Sequence, residues 1–410
     1  MDLAVASRAD VRPRLALGLL SVQHALIHGQ SALYPLVYLA VIDEFGVTPA
    51  TIVVLATLGS VATGLLQVTF GALTRRFSRR SLLGGGGLLV GIGTAVQAAA
   101  PGFPAFAAAN VASRLGAAPQ HPVGNALLAE QFPARRLGTA IAAHVAGGNI
   151  GTVVVGFAAA VAIATLGWRG AVLGLGLAAL VVAAAILLFV GERRRVVVDD
   201  GLANPVRRLY RRVLADRDMR WLFLAATLGG GSRGLGVLNI FVPLYLDQAL
   251  ELDDGTIGLM YGLLLAASVP GPLVAGWLSD RIGRKPVIVT VYLAGAAALA
   301  LFVMAGSNPI WLWLGILALS LTSFVESPQL QALVADMATP ELRDAAFSIY
   351  FGLAFGVGSL WGLVYGLVVD AGGPGEGLGY VFWIMAAASI AAAIATIQIR
   401  MPARPGTVPA

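Results

Sequence analysis

The stretch PVGNALLAE at residues 122–130 returns as PQLQALVAD at residues 328–336, 206 positions further along the chain. Both copies begin with proline, carry an Ala-Leu pair in the middle and end on alanine followed by an acidic residue. A repeat at one fixed separation is typical of a chain that builds the same structural unit twice. Because the separation is about half of the 410 residues, the sequence predicts two related halves.

The composition around this repeat is that of a membrane protein. Hydrophobic residues make up 58% of the chain and charged residues only 12%, whereas soluble domains carry about 25% charged residues. The absence of cysteine excludes disulfides, thiolate metal sites and cysteine nucleophiles. A helix needs about 20 apolar residues to cross the hydrocarbon core. Twelve segments meet this requirement, at 15–42, 48–73, 81–100, 102–128, 136–164, 170–190, 219–246, 255–278, 285–305, 309–334, 341–369 and 378–400.

The repeat divides these segments six and six. This predicts an all-α membrane protein with twelve transmembrane helices in two six-helix pseudo-repeats. We expect an N-terminal bundle at residues 1–190, a cytoplasmic basic linker at 191–218 and a C-terminal bundle at 219–410. Apolar residues stand at helical spacing among the arginines of the linker, at Val206, Leu209, Tyr210, Val213 and Leu214. This pattern fits either an amphipathic helix on an anionic leaflet or a solvated basic linker.

The basic residues predict the orientation. With the N-terminus in the cytoplasm, 24 of the 27 lysines and arginines fall on the cytoplasmic side, as the positive-inside rule requires. The other three are Arg169 on the outside and Arg114 and Arg233 within membrane segments. The first apolar run is too long for a cleaved signal peptide, so we expect a multi-pass protein of the bacterial inner membrane with both termini cytoplasmic. Since topology accounts for the net charge of +6, we expect no nucleic-acid partner.

The segment GWLSDRIGRK at residues 276–285 resembles the loop signature of the major facilitator superfamily, and the resemblance covers almost the whole chain. It implies a transporter that works by alternating access, with this loop latching the cytoplasmic gate. Gly276 is expected to allow close helix approach, and Asp280 to face basic side chains or a helix N-terminus. The residues implied in gating are Gly276, Asp280, Arg281, Gly283, Arg284 and Lys285.

The copy of this loop in the first half, GALTRRFSRR at residues 71–80, departs from the pattern. Arg75 stands where the acid belongs, and Ser78 replaces the second glycine. An arginine cannot complement the positive end of a helix. We therefore predict an asymmetric latch, in which Asp280 acts near the start of the fifth membrane helix, around Gly138.

A narrower resemblance is to the fosmidomycin-resistance-like efflux branch of the superfamily, which implies efflux, drug resistance and antiport. The residues that carry it are His24 with the downstream ALYPL at 32–36, Gln120-His121-Pro122, and GGNIG at 147–151. The branch tends to carry acids at two positions where this chain has His28 and Val123.

Ionisable groups inside membrane segments are candidates for function, because a charge at mid-bilayer costs about 3 kcal/mol. Spacing places His24, His28, Ser31 and Pro35 on one face of the first helix, and Arg114, His121 and Asn125 on one face of the fourth. We expect these two faces to line one cavity. The candidates for substrate binding or coupling are His24, His28, Arg114, His121, Asn125, His144, Arg233 and Glu326.

The histidines have two interpretations. Imidazole titrates near neutral pH and could carry protons or bind a partly anionic ligand, or each ring could pack between helices through hydrogen bonds. The spacing of His24 and His28 would also suit a metal ion. A third ligand, however, would have to come from another helix, and no acid lies close in sequence. We therefore predict no metal site and no cofactor.

Glu326 is the acid that the sequence places well inside the membrane, at the position that Gln120 holds in the other copy of the repeat. It either loads and releases a proton between transport states or forms a static ion pair with Arg233 or Arg114. Arg114 lies in NVASRLG, which resembles the superfamily's helix-4 signature and implies proton coupling or anion binding; pairing with backbone carbonyls is the alternative. Arg233 lies in the glycine-rich GGGSRGLG and needs a counter-charge.

Two arginines and four histidines against one acid predict a cavity that favours anionic or zwitterionic small molecules. The leading hypothesis is proton-coupled efflux of a small organic anion or drug-like compound; the alternative is a proton-coupled uptake symporter for an anionic metabolite. We do not expect an enzyme, because the chain lacks zinc-protease spacing, a phosphate-binding loop and a nucleophile elbow. The expected partners are the substrate, protons and membrane lipids, and the protein is expected to be a monomer.

Overall fold

The computed structural model describes residues 11–74, 76–192, 205–339 and 342–400, and throughout these ranges the chain is helical apart from turns and short connections. Part of the predicted linker, residues 193–204, lies outside the described residues. So do six of the basic residues that predict the orientation: Arg8, Arg75, Arg193, Arg194, Arg195 and Arg404.

Seven helices occupy the described part of the first half. They are α1 (Pro13–Phe45), α2 (Pro49–Gln67), α3 (Phe70–Leu73), α4 (Arg79–Gln97), α5 (Phe103–Gly116), α6 (Gln120–Gln131) and α7 (Ala134–Phe189). Within α7, Gly167 leaves the helical conformation with φ 67° and ψ 164°, a backbone region that favours glycine. A Cβ atom there would meet nothing within 4 Å, so the constraint is conformational. This break separates the two spans predicted at 136–164 and 170–190.

The second half begins with the linker helix and is more interrupted. Its helices are α8 (Pro205–Ala215), α9 (Arg217–Gly229), α10 (Asn239–Gln248), α11 (Asp254–Ala266), α12 (Pro270–Ile282), α13 (Arg284–Met304), α14 (Pro309–Thr322), α15 (Glu326–Met337), α16 (Arg343–Phe351), α17 (Trp361–Gly372) and α18 (Leu378–Ile397). Short turns of 3-10 and π type connect α9 to α10, α16 to α17 and α17 to α18.

Every span that the sequence predicts falls on one of these helices or on a pair of them. Eight described stretches are long and apolar enough to cross a membrane, and they carry nine of the predicted spans because residues 143–189 contain two. The other three spans correspond to α4, to α5 with α6, and to α9 with α10. Six of the predicted spans are divided between two helices, namely 48–73, 102–128, 219–246, 255–278, 309–334 and 341–369. Gly167 lies between two predicted spans and interrupts neither.

The chain forms two compact units, each with its own packing. The first contains residues 1–47 and 62–201, and the second contains residues 48–61 and 202–410. The first part of α2 therefore belongs to the second unit, where Thr57 lies so close to Gly362 of α17 that a Cβ atom on Gly362 would collide with its hydroxyl.

In the first unit, the N-terminus of α4 is capped from a distant part of the chain. Glu192 accepts hydrogen bonds from the backbone N–H groups of Arg79 (3.0 Å) and Arg80 (3.1 Å). Its negative charge complements the positive end of the helix. The Arg79 side chain forms an ion pair with Glu130 at the end of α6. The first residues of the predicted linker are thus bound to the unit that precedes them.

In the second unit, α8 packs its apolar side against the protein. Val213 is 1% exposed, and Leu209 and Tyr210 pack on the core that contains Met219 and Leu222. Its basic side, with Arg208, Arg211 and Arg212, is exposed. The spacing of apolar residues in the linker therefore forms a helix, and that helix uses part of its apolar face within the second unit.

Candidate functional site

The four histidines of the chain come together in the first unit. His24 and His28 of α1 have their Nε2 atoms 3.0 Å apart. The ring of His121, from α6, has its centroid 4.9 Å from that of His24 and 6.3 Å from that of His28. The ring of His144, from α7, is stacked on His24 at 4.6 Å. The sequence predicted these residues as candidates but gave no reason to expect His144 in the same cluster as the other three.

Close packing of α7 against α1 positions the cluster. A Cβ atom on Gly147 would lie 2.8 Å from the Ser21 carbonyl oxygen, and one on Gly148 would lie 2.8 Å from the His24 ring. A Cβ atom on Gly151 would collide with the Ala25 backbone. Only glycine permits this approach, and small residues are a common device for bringing membrane helices together. The GGNIG segment thus has a packing role that brings α7 to the histidines of α1.

Hydrogen bonds across the same contact orient two of the rings. His24 Nδ1 lies 2.9 Å from the His144 carbonyl oxygen. Because a carbonyl oxygen only accepts hydrogen bonds, Nδ1 must carry the hydrogen and act as the donor. His28 Nδ1 lies 3.3 Å from the hydroxyl of Thr152. Thr152 is a residue that sequence reasoning missed, although residues 144, 148 and 152 share one face of a helix. Both partners come from α7, so the glycine contact and the ring orientations depend on each other.

The cluster is buried unevenly. His24 is 1% exposed and His144 is fully buried, while His28 and His121 are partly exposed. Neither ring nitrogen of His144 has a hydrogen-bond partner among the described residues. An unpartnered buried polar side chain is uncommon. The cluster therefore keeps unused hydrogen-bonding and ligand capacity.

Arg114 belongs to a polar network in the same unit. Its guanidinium donates to Asn110 Oδ1 (3.1 Å) and to the Tyr38 hydroxyl (3.1 Å), and Asn110 donates in turn to Gln97 Oε1 (3.2 Å). The sequence placed Arg114, His121 and Asn125 on one face of a single helix. That prediction was wrong in its helix geometry, because a turn at residues 117–119 ends α5 before α6 begins.

In the second unit, Arg233 and Glu326 form a buried ion pair. Arg233 Nε donates to Glu326 Oε1 at 2.7 Å, and the two side chains are 8% and 6% exposed. The other two guanidinium nitrogens donate to the carbonyl oxygens of Ala354 (2.6 Å) and Ala226 (3.1 Å). Of the two partners that the sequence left open for Glu326, the structure selects Arg233.

Breaks in two helices meet at this pair. Between α9 and α10, Arg233 adopts an extended conformation (φ −69°, ψ 135°), which takes its side chain out of the helical path. The N–H of Gly234 donates to the Ser323 carbonyl oxygen (2.9 Å), in the gap between α14 and α15. In transporters, irregular backbone at membrane depth is tolerated where it is buried or lines a cavity, and such broken helices frequently form binding sites.

A small cavity with a lining of polar and apolar residues lies beside Glu326. It has a volume of about 10 Å³, room for about one water molecule, and Ser232, Thr322 and Ser389 contribute to its lining. Tyr292 lines it as well, with its hydroxyl 3.4 Å from Glu326 Oε2 and 3.2 Å from the Ala225 carbonyl oxygen. Sequence reasoning missed Tyr292, which lies in α13 outside any motif.

The loop expected to gate the transporter forms a basic cluster held by acids and carbonyls. Arg284 binds Asp280 Oδ1 at 2.7 Å and Asp336 Oδ2 at 3.2 Å. Lys285 donates to the Ile399 carbonyl oxygen (2.8 Å). Gly283 has a φ of 102°, which favours glycine at this turn.

Two other gating residues have simpler surroundings. The Arg281 guanidinium carbon lies 3.5 Å from the centroid of the Trp277 ring. The expectation of close helix approach at Gly276 is not met, because a Cβ atom there would lie 3.9 Å from the Gln329 amide nitrogen, an ordinary contact. The action of Asp280 near Gly138 stays a prediction.

Comparison with known proteins identifies the family. The model of the Major Facilitator Superfamily matches residues 20–247 and 222–410. The chain is 28% identical to the fosmidomycin resistance protein of Escherichia coli (strain K12) over 374 residues, covering 90% of this chain and 89% of that protein. It is 26% identical to the probable L-galactonate transporter of the same organism over 263 residues, covering 61% of this chain and 58% of the relative's length.

Structural comparison agrees with the sequence matches. The crystal structure of the nucleoside transporter NupG, in a mutant form, superposes with a TM-score of 0.77 at 15% identity, over 95% of this chain and 100% of that one. The predicted twelve-helix fold and the resemblance to the fosmidomycin-resistance-like branch are confirmed. The chain is a multi-pass membrane protein that belongs to the Major Facilitator Superfamily, a family of transporters of small molecules.

Proposed function

We propose that the protein is a proton-coupled exporter of a small organic anion or drug-like compound in the bacterial inner membrane, with both termini cytoplasmic. The observation that carries this proposal is the buried pair of Arg233 and Glu326 at the meeting point of two helix breaks. A buried carboxylate retains its charge only while a partner compensates its desolvation. Protonation of Glu326 would neutralise the carboxylate and break the ion pair. The Arg233 guanidinium would then be free to bind another anion.

The surroundings of the pair support a change of this kind. The water-sized cavity beside Glu326 offers a place for a proton carrier, and Tyr292 lies within reach of the carboxylate. The broken helices allow local backbone movement without unfolding a continuous helix. Proton binding at Glu326 and rearrangement of α9, α10, α14 and α15 would therefore be linked.

An anionic substrate is supported by the charges of the membrane segments. Arg114 carries a positive charge there, and positive sites concentrate anions. The histidines His24, His28, His121 and His144 add ring N–H groups that can donate hydrogen bonds to an anion. L-galactonate, in the name of one relative, is a carboxylate anion. We assign these five residues, together with Asn125, to substrate binding or coupling. The loop residues Gly276, Asp280, Arg281, Gly283, Arg284 and Lys285 are assigned to gating.

A second candidate is proton-coupled uptake of an anionic metabolite by a symporter. The similarity to the probable L-galactonate transporter favours it, while the similarity to the fosmidomycin resistance protein over 90% of the chain favours export. The Arg233–Glu326 pair would serve both directions, because alternating access is reversible. We expect a monomer that contacts membrane lipids and binds no nucleic acid.

The test uses purified protein in liposomes. Compounds are first screened by substrate counterflow at two pH values, with sugar acids, phosphonates and lipophilic cations as probes. A compound that exchanges is then driven by an imposed pH gradient. Glu326→Gln should retain counterflow and lose at least about tenfold of gradient-driven transport, as expected for loss of a required proton-transfer group.

The matched control is Glu376→Gln, which makes the same chemical change at an exposed acid and should behave like the wild type. Full gradient-driven transport by Glu326→Gln would contradict the coupling role. Exchange of lipophilic cations alone would contradict the anionic substrate. The direction of the gradient that drives accumulation distinguishes export from uptake.

A further inference from the structure

The ring nitrogens of His24, His28 and His121 lie within 4.8 Å of one another. The spacing of His24 and His28 in the sequence offers two ligands from one helix and leaves the third to another helix. In the structure, α6 supplies that third imidazole. Three imidazole nitrogens in one place are the minimum protein ligand set of many zinc sites.

The hydrogen bonds of the cluster direct the Nε2 atoms of His24 and His28 toward the space between the two rings. His24 uses Nδ1–H to bind the His144 carbonyl oxygen, so its Nε2 carries a lone pair. His28 Nδ1 faces the Thr152 hydroxyl, whose oxygen can accept a hydrogen bond from Nδ1–H in the same way. The two Nε2 atoms then face each other across 3.0 Å. Metal-binding histidines have this arrangement, with one ring nitrogen held by a carbonyl or similar group and the other directed at the ion.

The 3.0 Å separation fits a shared cation. At that distance the two nitrogens share a proton as a hydrogen bond, and a cation can take the place of that proton. Two imidazole nitrogens bound to one tetrahedral zinc ion stand about 3.3 Å apart, from bond lengths near 2.0 Å. A small rotation of the partly exposed His121 ring would bring its nitrogen to the same ion.

The donor set selects the class of ion. Imidazole suits Zn²⁺, Ni²⁺, Co²⁺ and Cu²⁺, whereas Mg²⁺ and Ca²⁺ prefer oxygen ligands. The chain has no cysteine to offer thiolate. Among the described residues, the hydrogen-bond partners of His24 and His28 are a carbonyl, a hydroxyl and each other.

We propose that His24, His28 and His121 bind one divalent transition-metal ion of this imidazole-preferring class within the first unit. Partial exposure of His28 and His121 gives the ion access, while the buried His24 fixes its position. Three ligands leave at least one coordination position open. The ion therefore presents a localised positive charge to water or to an anionic group. The site goes beyond the proposed function, because it depends on neither proton coupling nor the direction of transport.

The composition makes the test specific, since the cluster contains all four histidines of the chain and there is no cysteine. The full-length protein is purified in detergent through an affinity tag without histidine, and is stripped with a chelator. It is then equilibrated with Zn²⁺ or Ni²⁺. Gel filtration followed by elemental mass spectrometry gives the stoichiometry, and titration calorimetry gives Kd. We expect about one ion per chain.

Variants separate ligands from neighbours. His28→Asn and His121→Asn each remove a ligand and should weaken binding by more than about 100-fold, beyond the 10–100-fold effect of losing an outer partner. Thr152→Val removes such a partner and should weaken binding about tenfold. His144→Asn is the matched control, because it removes an imidazole and keeps the carbonyl that holds His24. It should bind like the wild type.

Circular dichroism and elution volume check that each variant is folded. A folded wild-type protein without stoichiometric metal overturns the proposal. So does metal binding that persists in both His28→Asn and His121→Asn, or that is lost in a folded His144→Asn variant and kept in His121→Asn. None of these results depends on transport, so they leave the role of Glu326 to its own test.

Discussion

The two copies of the repeat place different chemistry at equivalent positions. Gln120 in the first copy donates to the Leu20 carbonyl oxygen (3.1 Å), and the histidine cluster lies next to it. Glu326 stands at the equivalent position of the second copy and pairs with Arg233, whose three guanidinium nitrogens all donate to oxygen atoms. In the histidine cluster, by contrast, both ring nitrogens of the buried His144 lack a partner in the described residues.

This difference separates two ways of placing polar groups in a membrane protein. A satisfied pair is held by the interactions it makes, and the loss of either member leaves a buried charge without compensation. A cluster with unpartnered ring nitrogens, as on His144, is held largely by the packing around it and retains the capacity to bind a ligand. The second unit positions its pair by breaking helices, and the first positions its cluster by pressing two helices together through glycine.

Removal of one member of the pair should have the largest effect. Arg233→Met leaves Glu326 buried and unpaired, and we expect the protein to lose about 3–5 kcal/mol of stability, as for other broken buried ion pairs. The measurement is unfolding in detergent, followed by denaturant or heat. Arg233→Met combined with Glu326→Leu should recover most of the loss, because no charge is left uncompensated.

The matched change in the cluster is His144→Leu, which removes a buried side chain without hydrogen bonds to lose. We expect a change within about 1 kcal/mol, since replacing an unsatisfied polar group by an apolar one is nearly neutral. If His144→Leu destabilised the protein as much as Arg233→Met, the distinction between a satisfied pair and an unsatisfied cluster would fail.

The stability of the protein should be next most sensitive to the contact between α1 and α7 that positions the histidine cluster. Gly151→Ala places a Cβ atom against the Ala25 backbone, so α7 must move away from α1 at a cost of about 1–3 kcal/mol. Gly174→Ala is the control in the part of α7 that follows the break at Gly167, because a Cβ atom there meets nothing within 4 Å. It should stabilise by about 0.5–1 kcal/mol through the better helix propensity of alanine. Equal effects of the two changes would show that the contact does not position the helix.

The contrast between the two units also explains what the sequence could predict. The spans and the repeat depend on apolar length and on residue order, which are local properties, and the structure confirmed them. The pairing of Glu326 with Arg233 rather than Arg114 depends on how the breaks at 230–238 and 323–325 meet. No single-segment pattern carries that information.

Within the histidine cluster, prediction failed for a related reason. The face shared by His24 and His28 follows from helical periodicity and was predicted. The turn at 117–119 that ends α5 had no clear marker beyond Pro119 and Pro122, so Arg114 was placed on the same helix face as His121. The role of glycine in bringing His144 to His24 depends on a contact 120 residues apart in the chain, which spacing cannot show.

A smaller effect on stability is expected in the gating loop. Asp280→Asn removes one of the two acids that bind Arg284 and leaves Asp336 in place. The Asp280 side chain is 66% exposed, so the loss of stability should stay within about 1 kcal/mol. Transport rate should nevertheless change, if this loop latches one state. Asp336→Asn is the control for loss of an Arg284 contact, and wild-type transport by Asp280→Asn would contradict the gating assignment.

The smallest effect concerns helix caps. α4 is capped both locally, by Ser78, which accepts a hydrogen bond from the Ser81 N–H (3.0 Å), and across the chain by Glu192. α11 is capped locally by Asp253, which accepts hydrogen bonds from the Thr256 hydroxyl (2.6 Å) and the Thr256 N–H (3.0 Å). These bonds hold the pKa of Asp253 below its ordinary value.

A carboxylate whose pKa is lowered by folding stabilises the protein above its unfolded pKa, and the stabilisation is lost as the pH falls through the folded pKa. Asp253→Ala should therefore lower the unfolding temperature slightly at neutral pH. At a pH below the folded pKa of Asp253, its unfolding temperature should match that of the wild type. Asp254→Asn changes a charge in the same turn and keeps the cap, so its unfolding temperature should retain the acid dependence of the wild type. An Asp253→Ala variant that lost stability equally at every pH would show that the cap acts through packing rather than through the charged carboxylate.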